Sequence, residues 1–447
     1  MRKIFYSVSI LLAACFFMNG LLYSFSPDNE NTLIPIMSSG APIPTGLRYP
    51  SAVGYTKNDS AWVYVFGGLQ DGNVVTSNCY RYNVKANTWE SIPPLSLGPI
   101  WIGCAVRLGN SLYNIGGTSS AALNDAKTRV QKFDINNNTW TSVASMPFGR
   151  CFNQAVTYQD SLIYVAGGWG LPGLATYAQV FLYNVYSDTW GFATSMPNPR
   201  CGGVLGISND TLVYVCGGPN WVNPAATNTV YRGIINSTDR SLITWDTTGA
   251  VYPAGVRNSI SGASWGNGVI VSGGYQVTSV TNQCYVYSPG RNQWTQMPNL
   301  LSPKTDHGTA SVFIGNVWKF INVSGTSNRS GANSTSVDIL TDSLLLVGIN
   351  HNSNVPVSFS LEQNYPNPFN PVTKINFDLP FDSKVMMIIY DVTGREIKTL
   401  VNEVRTAGYH TIIFDGSMIS SGIYFYRIIA NANGKDYINT KKMAIIK

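Results

Sequence analysis

Apolar runs that end in paired glycines recur along this chain. "YVFGG" (Gly67, Gly68), "YNIGG" (Gly116, Gly117), "YVAGG" (Gly167, Gly168), "YVCGG" (Gly217, Gly218) and "IVSGG" (Gly273, Gly274) follow one another at intervals of 49, 51, 50 and 56 residues. Each run is too short for a helix and is bounded by Gly, Asn, Asp and Ser, which predicts strands joined by tight turns. A tryptophan follows every pair: Trp89, Trp140, Trp190, Trp245 and Trp294. An aromatic residue precedes four of these tryptophans by seven positions (Tyr82, Phe133, Tyr183, Tyr287). A weaker sixth copy, "WKFINVSGTSN", sets Ser324 and Gly325 on the next beat and lacks the tryptophan that follows the pair in the other copies.

A period near 50 residues marked by Gly-Gly, an aromatic and a Trp resembles the kelch repeat. The resemblance implies a four-stranded sheet per copy, with sheets packed face to face around an axis as a six-bladed β-propeller. The glycines stand where a strand ends and the backbone turns close to the next blade. The indoles and their aromatic partners fill the space between sheets. The ring has to close, and "NTLIPIMSSG" (Asn31 to Gly40) resembles "NTWESIPPLSLG" (Asn87 to Gly98), so the N-terminal segment is expected to supply the outer strand of blade six.

The pattern changes after Asn350. "NHNSNVPVS" is a polar linker, and short alternating segments then follow to the C-terminus, about seven in roughly 90 residues, which points to a small Ig-like β-sandwich. "NYPNPFNPVTKINFDLP" opens this region, and prolines 366, 368 and 371 bar its first half from the middle of a ladder. With "IYDVTGREIKTL", "SGIYFYRI" and "TKKMAIIK", it closely resembles the type A C-terminal sorting domain of type IX secretion cargo. The residues that carry the likeness are Asn364, Tyr365, Pro366, Asn367, Pro368, Phe369, Asn370, Pro371, Gly394, Gly422 and Tyr424, with Tyr365 and Phe369 expected to anchor the stiff stretch on the sandwich. The likeness implies a Bacteroidota-type bacterium, Sec export to the periplasm, and passage to the cell surface or beyond through the type IX machinery. The fold class is therefore all-β: an export signal over 1–26, a six-bladed kelch propeller over 27–348, a linker over 349–357 and the sorting domain over 358–447.

Composition narrows the function. Charged residues are 12% and the net charge is +6 without any basic run, which argues against a nucleic-acid partner. "MRKIFYSVSILLAACFFMNGLLYSF" has the form of an export signal. "LAAC" within it resembles a lipoprotein box at Cys15, although the residues that follow stay apolar. No later segment reaches the ~18 apolar residues needed to span a bilayer, so no transmembrane span is expected in the mature chain. The other six cysteines fall in repeat slots and read as small buried apolar residues. With no Cys-x-x-Cys and three histidines far apart, neither metal nor cofactor is expected.

Kelch propellers include enzymes. The galactose-oxidase-like copper enzymes imply two His and two Tyr as ligands, and this repeat region offers only His307. The sialate mutarotases imply a carboxylate and an Arg, yet Glu90 is the single glutamate between Met37 and Val347. No pair stands out as general acid and base, so no catalytic residue is assigned. A binding face is easier to place. Arg48, Arg150, Arg200 and Arg257 each open the first strand of a copy, on the same end of the blades as the loops that carry Trp169, Trp221 and Tyr275. Arginines in similar positions grip acidic peptides in kelch adaptors, and the competing expectation is that these are structural, bonded to carbonyls of the neighbouring blade. The expected partner is an extracellular protein, peptide or glycan, with a sugar mutarotase-like enzyme as the alternative. "DSA", "DSL", "DTL" and "DSL" at Asp59, Asp160, Asp210 and Asp342 match an O-glycosylation acceptor pattern, and equally read as turn residues.

Overall fold

A computed structural model describes residues 35–57, 60–159, 161–219, 226–276, 279–315, 317–328, 331–342, 359–380, 382–405, 408–432 and 435–446. The expected export signal, Cys15, Trp221, Asp59, Asp160 and the linker lie outside these residues.

Six antiparallel four-stranded sheets form the repeat region. Blade one runs Ser51–Lys57, Ser60–Phe66, Cys79–Asn83 and Thr88–Ile92 from the axis outward, and blades two to five repeat this order. Each inner strand packs against the inner strand of the next blade, and the sixth, Gly308–Ile314, returns to the first, so the ring is closed. Second strands are buried on both faces, as Val63, Tyr64, Val65 and Phe66 show. Blade six consists of Gly308–Ile314, Val317–Val323 and Val337–Asp342, and takes its outer strand, Ile36–Gly40, from the N-terminal side, with Met37 opposite Leu340.

The tryptophans do more than fill space. Each indole N–H donates to a backbone carbonyl where the preceding blade's outer strand ends: Trp89 to Ala41 (2.8 Å), Trp140 to Pro93 (2.9 Å), Trp190 to Ala144 (2.8 Å), Trp245 to Thr194 (3.0 Å) and Trp294 to Ala250 (2.7 Å). In three blades the same residue is held at its N–H as well. Asn87, Asp188 and Asn292, each in a left-handed turn, accept from the N–H of Ala41, Ala144 and Ala250 and from the hydroxyls of Tyr82, Tyr183 and Tyr287. Trp245 has no aromatic seven residues before it because its hairpin is longer. It pairs with Gly233, where a Cβ would come 2.7 Å from the indole.

The glycine pairs differ from expectation in one blade. At Gly67, φ is +60° and a Cβ would lie 2.2 Å from the carbonyl oxygen of Ile100, on the next blade, so only glycine fits without displacement. The hydrogen bonds that define this slot start from Gly67, Gly116, Gly167, Cys216, Gly273 and Ser324. The fourth pair is therefore Cys216–Gly217, not Gly217–Gly218. Cys216 (φ +58°) and Ser324 (φ +63°) adopt the left-handed backbone without being glycine. All six cysteines among the described residues are buried with free thiols.

The C-terminal region forms two sheets, one of Ser360–Leu361, Val372–Leu379 and Gly408–Asp415, the other of Glu396–Arg405, Ser383–Tyr390, Gly422–Ala432 and Lys435–Ile445. Ile375, Phe377, Met387, Ile389, Tyr426 and Met443 fill the space between them. The Pro-Asn stretch touches ladders at isolated points. Phe369 is buried beside Phe414 and bridges the last strand, donating to Ala444 O and accepting from Ile446 N–H, each at 3.0 Å. Tyr365 corrects the expectation of a second aromatic anchor, because its side chain is 80% exposed. Asn364 is the second anchor. It is fully buried, its N–H donates to Tyr426 Oη (2.7 Å) and its amide to Thr373 Oγ1 (3.0 Å) and Pro366 O (3.1 Å). Gly394 (φ +83°) closes the "DVTG" turn on Asp391 O, and Tyr424 donates to Ser420 O just before its strand opens at Gly422.

Candidate functional site: the loop face and the channel

Antiparallel order puts the start of every inner strand, the loop after every second strand and the exit of every outer strand on one face. Isolated bridges tie them together, as between Arg48 and Leu69, Trp101 and Thr118, Cys201 and Gly218, and Asn258 and Tyr275. The second residue of each glycine-type pair donates its N–H to one slot on the next blade. Those acceptors are Ile100, Arg150, Arg200, Arg257, Lys304 and, closing the ring, Leu47.

This register decides the fate of the arginines. Arg150, Arg200 and Arg257 share a slot with Lys304, whereas Arg48 stands one residue past its equivalent, Leu47. The three slot arginines are not an exposed rim. Arg150 is 1% exposed, lies 3.8 Å from the centroid of the Tyr177 ring, and donates to Gly149 O (2.9 Å), Leu171 O and Gln179 Oε1 (2.9 Å). Burial pulls its pKa down to about 10. Arg200 donates to Tyr231 Oη (2.6 Å), Thr229 Oγ1 and Pro199 O, and Arg257 to Gln276 Oε1 and Val256 O. These partners belong to the arginine's own blade or to the residue just before it, and none of these bonds reaches a carbonyl of the neighbouring blade, the contact that the structural expectation named. Lys304 is buried against Asp338 (3.6 Å) and Ser336. Arg48 is half-buried and bonds Asn333 Oδ1 (2.9 Å) and Gly331 O (2.6 Å).

The accessible loop face is correspondingly poor in free charge. Asp125 pairs with Lys127 (2.8 Å), Arg129 donates to the carbonyls of Leu97, Gly98 and Pro99, and Asp71 accepts from Asn333 N–H (3.0 Å). Large apolar side chains are exposed there: Val74, Leu97, Phe148, Leu171, Leu174 and Leu301. Trp169 and Tyr275 are half-buried in short hairpins beside them.

Two residues beyond the arginine slot, the chain turns into the channel with a left-handed residue in every blade: Tyr49, Ile102, Phe152, Gly202, Ser259 and Asp306, with φ from +46° to +67°. Four of their N–H groups donate to the same position of the preceding blade: Tyr49 to Asp306 O (2.6 Å), Ile102 to Tyr49 O (3.2 Å), Phe152 to Ile102 O (3.0 Å) and Gly202 to Phe152 O (3.4 Å). The Tyr49 and Ser259 hydroxyls meet at 2.5 Å. This peptide belt, invisible as a sequence motif, frames a channel of about 460 Å³ lined by inner strands of all six blades. Ser51, Asn153, Ser261, His307 and Ser311 contribute polar groups to the lining. His307 Nε2 lies 3.0 Å from Ser272 Oγ, and burial, reinforced by nearby Lys304, pushes its pKa down to about 3, so the ring is neutral.

Comparison with known proteins fits this architecture. A family profile described as the KLHDC2/KLHL20/DRC7 Kelch-repeats domain matches residues 18–218, a Kelch motif profile matches 257–301, and a secretion system C-terminal sorting domain profile matches 363–446. The chain carries kelch repeats and a type IX secretion sorting domain. This kelch protein is 28% identical over 131 residues to Kelch-like protein 38 of Homo sapiens (29% of this chain, 21% of that protein) and 34% identical over 112 residues to Kelch-like protein 25 of Rattus norvegicus (24% and 19%). It spans about a fifth of the length of those relatives. The solved structure of YjhT aligns with a TM-score of 0.54 at 13% identity, over 66% of this chain and 95% of that one, a likeness of fold. The sorting tail marks the kelch protein for secretion or surface export. No helix among the described residues is long and apolar enough to cross a membrane.

Proposed function

We propose that this kelch protein is an exported recognition protein, with a propeller that binds an extracellular ligand on its loop face and performs no chemistry on it. The observation that carries the reading is the composition of that face: apolar and aromatic side chains stand exposed or half-buried on it, while its charges are paired locally or buried. Exposed apolar groups beside half-buried aromatics suit an interaction surface, and the loop face adds two hairpin aromatics to them, although Tyr186, Leu242 and Phe313 are exposed on the opposite face as well. The channel behind it offers hydroxyl, amide and neutral imidazole groups, which suit holding a ligand better than moving protons. The sorting tail supports placing the encounter at or beyond the cell surface after periplasmic passage.

The secreted protein, probed on a combined glycan and peptide array, tests this. Leu174→Asp and Trp169→Ala on the loop face are expected to weaken capture about tenfold or more, at ~1–3 kcal/mol per buried anchor, and Tyr186→Asp on the opposite face to leave it intact. Capture indifferent to the loop face, or turnover of a free sugar, overturns the reading.

A further inference from the structure

Burial splits the Pro-Asn stretch that opens the sorting domain. Asn364 and Phe369 hold it to the sandwich, while Tyr365, Pro366, Asn367 and Pro368 between them are all exposed. The exposed four are fastened nonetheless. Tyr365 gives its N–H to Lys374 O and takes the Lys374 N–H on its own carbonyl, each at 2.9 Å. Pro366 O accepts from Thr373 Oγ1 (2.8 Å), and the Asn367 side chain accepts from Ala444 N–H (2.8 Å) and donates to Lys442 O (3.3 Å). With the Tyr365 backbone bonded on both sides, a partner meets its side chain.

That side chain has apolar company. Residues directly opposite one another in an antiparallel pair share a face, which sets Tyr365, Lys374 and Ile413 in one row across the outer side of the three-stranded sheet. Ile413 is exposed, and so is Val372, two residues along the strand on the same side. Lys374 stands exposed between Tyr365 and Ile413. The other end of this face is different. There Asn376 donates to Glu362 Oε2 and accepts from Thr411 Oγ1, each at 2.9 Å, and Ser360 donates to Asp378. Polar groups satisfy one another at that end, whereas the Tyr365 end leaves large apolar side chains in water.

Phe369 already supplies the aromatic that packs the stretch down, so the fold gives Tyr365 no such task. Val404 and Ile438 are exposed as well, on the two opposite edge strands of the other sheet. Tyr365 differs from them in being an aromatic on a stretch locked at both ends, so much of the entropy cost of ordering an anchor is met before a partner arrives. Tyrosine in such a setting is a favoured interface anchor.

We infer that Tyr365, with Val372 and Ile413 beside it, is the face by which a protein of the export machinery receives the sorting domain. The partner is a protein because the stretch lies within the residues that mark the chain for export, 363–446, and a mark read by a machine needs a surface to read. Its receiving groove is apolar, with a carboxylate at the rim to meet Lys374. The inference concerns the tail alone and does not depend on what the loop face binds.

Export of the full chain from a host with a type IX apparatus provides the test, read as the fraction reaching the medium or cell surface against that left in the periplasm. Tyr365→Ser and Ile413→Asp are each expected to lower this fraction about tenfold, and Lys374→Glu to lower it severalfold. Thr411→Ala, at the polar end of the same face, is expected to export normally. Limited proteolysis that leaves the sorting domain as resistant as in the parent identifies the variants as folded, and Ile413→Asp decides alone if Tyr365→Ser does not fold. Normal export of folded Ile413→Asp, or an equal loss in Thr411→Ala, overturns the inference. Tyr365-dependent binding of the purified protein to vesicles of phosphatidylethanolamine and phosphatidylglycerol also overturns it, by giving the patch to a lipid surface. Array capture through Leu174 and Trp169 is unaffected by any of these outcomes, so the loop-face reading is judged separately.

Discussion

Burial reverses the meaning of several side chains that sequence makes conspicuous. Arg150, Arg200 and Arg257 recur with the repeat, and recurrence alone does not say whether a guanidinium points to solvent or folds back against its own blade. The answer depends on loop carbonyls that close over it, such as Leu171 O. Lys304 and Asp338 make the point sharply. Both are about 1% exposed, and burial moves the lysine pKa down and the carboxyl pKa up. Lys304→Met leaves Asp338 unpaired and is expected to destabilise the propeller by about 3–5 kcal/mol, while Lys304→Met with Asp338→Leu recovers most of that loss. Urea melts of the single and double variants check it, and equal losses in both would refute the account. His307, the lone histidine of the repeat region, is visible in sequence, but its neutral state and its place in the channel are not, since both follow from neighbours on other blades.

Among elements, the repeating strands were the most legible, because an indole every ~50 residues has to be matched by a blade-sized gap. The clamp around each indole was partly legible: "NTW", "NTW", "SDTW" and "RNQW" hold the turn residue two positions before the Trp in four blades. Its partner on the preceding blade is a backbone carbonyl, which leaves no trace in side-chain identity. The slip at Cys216 has the same origin, since two glycines in a row mimic the pair and only hydrogen bonds reveal which residue fills the slot. The outer strand Ile36–Gly40 pairs with Val337–Thr341 over its whole length and delivers Ala41 to Trp89. Deleting residues 36–40 is expected to remove on the order of 3–5 kcal/mol and to expose Val337–Asp342 to proteolysis. Thermal melts and limited digestion measure both, and an unaltered melt would exclude a closing role for this strand.

At the scale of the whole molecule, a ring of six sheets is followed in the chain by the two-sheet sorting domain, the delivery module. The delivery module reads clearly from sequence because its signature is a rigid local string, with Asn364 and Phe369 locked into the sandwich. Removing residues 359–447 is expected to keep the protein from reaching the medium or the cell surface while leaving the propeller folded. Cell fractionation with circular dichroism of the recovered protein reports this, and normal export of the shortened chain would contradict it. The closing pairing of Ile36–Gly40 with Val337–Thr341 has a consequence for biosynthesis. During translation the first strand must wait for nearly the entire repeat array to be made before its mate exists, and the delivery module follows directly after that mate. Products terminated before Val337 thus lack both a sealed toroid and a shipping tag, so for them incompleteness and non-export coincide by construction.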